Sequence, residues 1–149
     1  MRNILLFALS AFAVFGGLLQ SAGAGERPAQ TVCPITGRQL RSVQSPVRVA
    51  VDGFQFAVAD ADSREKALAD PAAAFAALAK NGEAAEPVSQ ACPVMGNRVN
   101  KNIYIQKDGR RVYICCKGCT KRVENNWAKT LDKLAEQAEQ GEPDDLPIM

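Results

Sequence analysis

Two stretches of the chain repeat one order of apolar and polar positions. In each, two short runs rich in β-branched and aromatic residues flank an Asp-Gly pair. These are 47–51, Asp52-Gly53 and 54–58 in the first stretch, and 103–106, Asp108-Gly109 and 111–114 in the second. Asp-Gly between such runs is a strong signal for a tight turn, since both residues tolerate the backbone conformations that the turn requires. The pattern therefore predicts two β-hairpins.

A helical pattern follows each predicted hairpin. In the second stretch the apolar residues recur at helical spacing, on Val123, Trp127, Leu131 and Leu134, and so predict one helix face. In the first stretch the corresponding residues are Ala67, Leu68, Ala72, Phe75 and Leu78. Pro71 falls inside this earlier pattern and predicts a split into two short helices, because proline cannot continue a helical hydrogen-bond ladder.

Each stretch opens with a Cys-Pro-x-x-Gly turn, at 33–37 and at 92–96. With an offset of 56 residues, Asp52-Gly53 aligns with Asp108-Gly109 and the positions that follow align without gaps. We therefore predict an α+β fold: two small treble-clef-like units, each a Cys-Pro knuckle, a β-hairpin and a helix, packed as a tandem repeat. Units of about 45 residues bury little apolar surface and need a metal, a disulfide or a packed neighbour.

The first residues have the features of a secretory signal peptide. Arg2 precedes an apolar run at 4–19, and Ala22-Gly23-Ala24 offers a small-residue cleavage site. The run is shorter than the roughly 20 residues of a membrane span. We expect cleavage after Ala24, a periplasmic or secreted protein and no stable membrane span afterwards; an uncleaved anchor is the alternative.

The remaining boundaries follow from composition. The predicted organisation is a signal peptide (1–24), a leader (25–31), a degenerate unit (32–80), a linker (81–90), a metal-binding unit (91–135) and an acidic tail (136–149). The tail is expected to be a loose helix end followed by disorder.

Composition excludes several kinds of chemistry. The chain has no histidine, which rules out Ser-His-Asp and Cys-His nucleophilic catalysis and any imidazole metal ligand. It has no Gly-rich phosphate loop, and no carboxylate pair stands out as an acid–base couple, so we expect no enzymatic activity. Residues 91–135 carry ten basic and three acidic residues, which indicates a solvated basic face or one that attracts anions and stabilises thiolates. Export argues against a nucleic-acid partner.

The five cysteines are the main candidates for function. They are Cys33, Cys92, Cys115, Cys116 and Cys119, an odd number that does not fit a simple disulfide framework. Cys92 lies in the second knuckle, and the hairpin returns the chain toward it. Cys115, Cys116 and Cys119 lie at the end of the second strand and in the first helical turn, so the four sulfurs are predicted to converge. The arrangement resembles a treble-clef zinc finger, with Met95 where such a finger usually carries its second knuckle cysteine.

Several interpretations of this cluster stay open. Four cysteines suit tetrahedral Zn(II), whereas three cysteines and the Met95 thioether favour Cu(I), with one ion per chain in either case. Met95 can instead be a core residue. Cys92 can form a disulfide with Cys115 or Cys119 in an oxidising compartment. Cys116 and Cys119 also form a Cys-x-x-Cys pair at a helix start, as in a thiol redox protein, although a thioredoxin-like βαβ context is missing.

The motifs CPVMGNRV and DGRRVYICCKGCTKRV resemble the YHS and TRASH group of small heavy-metal-binding domains, well over 91–134 and weakly over 32–79. The resemblance implies ligand positions at Cys92, Cys115 and Cys119, with Cys116 a further candidate, and a function in metal sensing, trafficking or resistance. In the first unit, Ala59, Asp60 and Ser63 replace the second group of cysteines. That unit is therefore expected to form no thiolate site, and Cys33 to be a buried small residue or the unpaired thiol.

These observations favour an exported soft-metal-binding protein that carries copper or zinc in its second unit. Its expected partners are the metal ion and a metal-transport or other protein. The alternative is an interaction scaffold whose small fold is held together by a metal or disulfides and has no role in metal handling.

Overall fold

The computed structural model describes residues 29–141. The predicted signal peptide, most of the leader and residues 142–149 lie outside this range. The described chain has an α+β fold with two small antiparallel sheets. Its elements are β1 (Val47–Val51), β2 (Phe54–Val58), α1 (Ala61–Ala69), α2 (Pro71–Lys80), β3 (Glu86–Pro87), β4 (Asn100–Lys107), β5 (Arg110–Ile114), α3 (Thr120–Asn125) and α4 (Trp127–Gln140), with 3₁₀ turns at Leu40–Ser42 and Lys117–Cys119.

Both predicted hairpins are confirmed. Strands β1 and β2 pair around Asp52-Gly53, and β4 and β5 pair around Asp108-Gly109. The two aspartates have φ values of 52° and 51°, and the two glycines 78° and 70°, as a turn with two left-handed residues requires. Strand β4 begins at Asn100, three residues before the predicted run, and contains a register shift between Asn100 and Tyr104.

The helices after the hairpins are interrupted at corresponding positions. The predicted split at Pro71 is confirmed, and the Asp70 carboxylate caps α2 by accepting a hydrogen bond from the Ala73 N–H at 3.0 Å. The single helix predicted across Val123 to Leu134 is wrong, because the chain breaks at Asn126 between α3 and α4. Asn126 aligns with Asp70 at the 56-residue offset, but its side chain donates to the Arg122 carbonyl instead of capping α4.

Helix α4 continues to Gln140, five residues into the segment that the sequence assigns to the acidic tail. Gln137 and Ala138 are half-buried there, and the Ala, Glu and Gln residues of this segment have high helix propensity. The helix end predicted at the start of the tail is therefore the end of α4.

The two halves share one hydrophobic core, and each hairpin turn packs against a helix of the other half. A Cβ atom on Gly53 would lie 2.7 Å from the Leu134 backbone, and one on Gly109 would lie 1.9 Å from the Phe75 carbonyl oxygen. The Arg110 guanidinium lies over the Phe75 ring at 3.7 Å. The buried cluster includes Phe54 and Phe75 from the first half and Ile114 and Leu134 from the second.

The segment 81–90, predicted as a linker, is structured and runs between the two turns. The Ala85 N–H donates to the Gly109 carbonyl at 2.8 Å, and the Val88 N–H donates to the Gly53 carbonyl at 2.9 Å. Strand β3 adds to β2, and buried Glu83 accepts hydrogen bonds from both the N–H and the hydroxyl of Thr31. This segment therefore ties the two halves together.

No helix within residues 29–141 is long and apolar enough to cross a membrane.

Candidate metal centre

The knuckle around Cys92 is a tight turn held by backbone hydrogen bonds. The Cys92 N–H donates to the Asn97 carbonyl, and the Gly96 N–H donates to the Cys92 carbonyl, each at 2.7 Å. Gly96 has a φ of 72°, a conformation that glycine adopts at little cost. The turn directs the N–H groups of Val94 and Met95 toward the Cys92 sulfur, which is fully buried.

The other three cysteines lie where β5 passes into α3. Cys115 follows the last residue of β5, Cys116 is extended (φ −155°, ψ 160°), and Cys119 ends the short 3₁₀ turn. The Cys119 N–H donates to the Cys116 carbonyl at 3.1 Å, which closes this turn. Neither the turn nor α3 has a side-chain N-cap.

These elements bring the four sulfurs together. The Sγ atoms of Cys92, Cys115 and Cys119 lie within 4.8 Å of one another. The Cys116 Sγ is 3.9 Å from that of Cys115 and 3.8 Å from that of Cys119, and Cys115 and Cys119 are 3.9 Å apart. Four sulfurs around a tetrahedral Zn²⁺ at about 2.3 Å are separated by about 3.8 Å. The cysteine group could therefore hold a metal ion with little rearrangement.

The cluster divides into two thiols whose pKa is lowered and two whose pKa is raised. Burial raises the pKa of Cys92, but hydrogen bonds from the N–H groups of Cys115, Met95 and Val94 outweigh it and lower that pKa below its usual range. Hydrogen bonds with the Cys119 and Cys115 thiols and with the Gly118 N–H lower the pKa of Cys116.

The remaining two thiols hold their protons more tightly. Desolvation and the hydrogen bond with Cys92 raise the pKa of Cys115. Desolvation, together with hydrogen bonds to Cys116 and Cys115, raises the pKa of Cys119 to about 12. Binding a metal at these two sulfurs therefore requires proton release.

The cluster is open to solvent on one side. Cys92 and Cys119 are buried, Cys115 is half-buried and Cys116 is exposed. A pocket of about 390 Å³ covers this side and is lined by Met95, Asn97, Cys115, Cys116, Gly118, Cys119 and Arg122. Met95 is 55% exposed, so the interpretation of Met95 as a core residue is wrong. Met95 lines the pocket over the cysteine cluster.

The first half carries the same knuckle without the cluster. The Cys33 N–H donates to the Arg38 carbonyl at 2.9 Å, as Cys92 does to Asn97, and the Ala59 N–H donates to the buried Cys33 sulfur at 3.3 Å. Burial raises the pKa of Cys33, but hydrogen bonds from the Thr36 side chain and from the N–H groups of Thr36, Ile35 and Ala59 lower it overall. Ala59 and Ser63 stand where the second half has Cys115 and Cys119.

Asp60 and Ser63 form a helix cap where the second half has Cys116 and Cys119. The Asp60 Oδ1 accepts hydrogen bonds from the Ser63 N–H at 2.8 Å and from the Ser63 hydroxyl at 2.6 Å. From the sequence, Asp60 and Ser63 were identified only as replacements for the cysteine ligands, not as this capping pair. An Asp followed three residues later by Ser before a helical pattern is the signal that identifies it.

Comparison with family models, curated proteins and solved structures gave no match. The functional assignment therefore rests on the geometry of the cluster itself.

Proposed function

We propose that the protein binds one soft metal ion per chain, Cu(I) or Zn(II), at Cys92, Cys115 and Cys119, with Cys116 or Met95 completing the coordination. The observation that carries this proposal is the convergence of four cysteine sulfurs at spacings that suit a metal ion. Thiolates select such metals over Mg²⁺ and Ca²⁺. The role we assign is metal trafficking, sensing or resistance outside the cytoplasm, without enzymatic activity.

The two halves are, in this proposal, two treble-clef-like units of the YHS/TRASH type, one of which has lost its ligands. Matching hydrogen bonds in the two knuckles support the repeat: Gly37 N–H to the Cys33 carbonyl at 2.9 Å, and Gly96 N–H to the Cys92 carbonyl at 2.7 Å. The reciprocal packing of Gly53 and Gly109 on helices of the opposite halves also supports it. The assignment to that family rests on the motifs at 92–99 and 108–123.

A second candidate is a scaffold in which the metal only stabilises the fold. The missing N-cap of α3 favours it, because an ion held by Cys116 and Cys119 would anchor the start of this helix. The two roles differ in whether the bound metal ion can leave the site without unfolding the protein. A structural site is closed and its removal unfolds the domain, whereas a trafficking site releases its ion with the fold intact. The exposed Cys116 and Met95 favour exchange.

The test is metal stoichiometry by native mass spectrometry of reduced protein, with Cys119→Ser and Cys33→Ser compared. Both variants remove one buried thiol, but only Cys119 lies in the cluster. We expect Cys119→Ser to lose tight binding and Cys33→Ser to retain one equivalent. Full binding by Cys119→Ser, or loss of the equivalent in Cys33→Ser, would overturn the proposed site. Circular dichroism after chelation then separates trafficking from a structural role.

A further inference from the structure

The pocket lined by Met95, Cys116 and Arg122 gives access to the cysteine cluster. Cys92 is completely buried and Cys119 is 3% exposed, so the protein covers the cluster from their sides. A metal ion that enters through this pocket passes Cys116 and Met95, its two exposed sulfur-bearing side chains.

The rim of this opening is cationic. Arg122 lines the pocket directly. Exposed cations also adjoin other lining residues in sequence: Arg98 follows Asn97, Lys117 lies between Cys116 and Gly118, and Lys121 precedes Arg122. None of these four cations makes an ion pair within residues 29–141, where the ion pairs are Arg111–Glu86 and Lys133–Glu136. No carboxylate lines the pocket, so the field at the opening attracts anions.

The cationic stretch is short. A second depression of about 640 Å³ shares Arg122 with the pocket and extends along α4, but it contains the carboxylates of Asp132 and Glu136 beside Lys129 and Lys133. Lys133 is already paired with Glu136 at 3.2 Å. Uncompensated positive charge is therefore concentrated at the opening rather than along an extended groove.

The surface around the opening lacks the apolar centre of a protein interface. Within the described range, the exposed large hydrophobic residues are Met95 and Leu68, and Leu68 lies on α1 of the first half. Stable protein interfaces bury a core of several apolar and aromatic side chains. The pocket is compact and cationic and has one exposed thioether side chain. It therefore suits a small anionic ligand better than it suits the surface of a partner protein.

We propose that the opening takes up its metal from small anionic metal complexes, such as a bis-thiolate complex of Cu(I), and disfavours cationic ones. This inference rests on the proposed metal-binding function. The step is ligand exchange without electron transfer: each Cu–donor bond breaks as a Cu–Sγ bond forms, and the metal stays Cu(I). Each thiol that forms a Cu–Sγ bond gives its proton to the released ligand or to water.

The test compares the rate of Cu(I) transfer from two probes of opposite charge, the anionic bis(bicinchoninate) and the cationic bis(neocuproine) complexes. Both absorb visible light, so transfer to the purified reduced protein is followed by stopped-flow. We expect added salt to slow transfer from the anionic probe and to speed transfer from the cationic one. Arg122→Glu should slow Cu(I) transfer from the anionic probe roughly tenfold and speed transfer from the cationic probe.

Control variants show whether an effect comes from charge near the opening or from a general change in the protein. Lys121→Glu should act in the same direction as Arg122→Glu, whereas Arg64→Glu, an exposed position on α1, should change neither rate. If both probes respond alike to salt and to these substitutions, the proposal of anionic donors is wrong, and a partner protein becomes the better candidate. If neither probe delivers Cu(I) although native mass spectrometry shows one equivalent of metal bound, only the proposal of anionic donors is wrong. If mass spectrometry shows no bound Cu(I) or Zn(II) either, the proposed metal-binding function fails as well.

Discussion

Cys116 and Asp60 occupy the same backbone position in the two halves. Their φ and ψ angles are −155° and 160° for Cys116, and −157° and 176° for Asp60. In the first half the carboxylate caps α1 by accepting the Ser63 N–H. In the second half the position is a cysteine whose pKa is lowered by hydrogen bonds with Cys119, Cys115 and the Gly118 N–H. One backbone geometry thus serves a helix cap in one unit and a thiolate cluster in the other.

Met95 distinguishes the two candidate metals. Met95→Leu keeps the volume of the side chain and removes only the thioether. We expect the variant to bind Cu(I) about tenfold more weakly if the sulfur coordinates it, because Cu(I) accepts soft thioether ligands. Zn(II) affinity should stay nearly unchanged and serves as the internal control. Competition with chromophoric chelators measures both affinities. Equal losses of Cu(I) and Zn(II) affinity would mean that Met95 acts through the fold.

Metal affinity should rise steeply with pH. The pKa values of Cys115 and Cys119 are raised, the latter to about 12, so both thiols stay protonated around neutral pH. Each must lose its proton to bind the ion, and each adds about a factor of ten in affinity per pH unit. We therefore expect a gain of at least about a hundredfold per unit between pH 6 and 8, measured by chelator competition. Affinity independent of pH would contradict this assignment of the protonated thiols.

The secondary structure was largely predictable where single residues or pairs impose a backbone conformation. The Asp-Gly turns and Pro71 impose their own backbone conformations, and the hairpins and the α1–α2 split follow them. The break at Asn126 was not predicted, since asparagine is only a weak helix breaker and the apolar spacing continues across it. Strand β3 was missed because two residues, Glu86 and Pro87, carry no periodicity and pair only in the folded structure.

The close contact of the second turn with α2 can be tested by substitution. A Cβ atom on Gly109 would overlap the Phe75 carbonyl, whereas one on Gly96 would meet nothing within 4 Å, although both glycines have φ near +70°. Gly96→Ala should cost about 1 to 2 kcal/mol from backbone strain alone. Gly109→Ala should cost a further 1 to 3 kcal/mol, roughly, from overlap. Urea denaturation measures the difference, and equal costs would show that the turn does not pack on α2.

Within residues 29–141 the two halves share one hydrophobic core, and one group of cysteines lies close enough to hold a metal ion. Buried residues of both halves belong to the same cluster, and the segment 81–90 donates to both hairpin turns. The sequence predicted the convergence of Cys92, Cys115, Cys116 and Cys119, because a knuckle and a hairpin return the chain to one point. It did not predict which side of the cluster is open, since the exposure of Met95 and Cys116 depends on how the whole chain packs.

X-ray absorption spectroscopy of the metal-loaded protein tests the central claim most directly. The cluster of four cysteine sulfurs, in a chain without histidine, predicts a coordination sphere dominated by sulfur, near about 2.3 Å for Zn(II). Cys119→Ser, prepared in the same way, should lose this signal. A coordination sphere of oxygen and nitrogen alone would contradict the account.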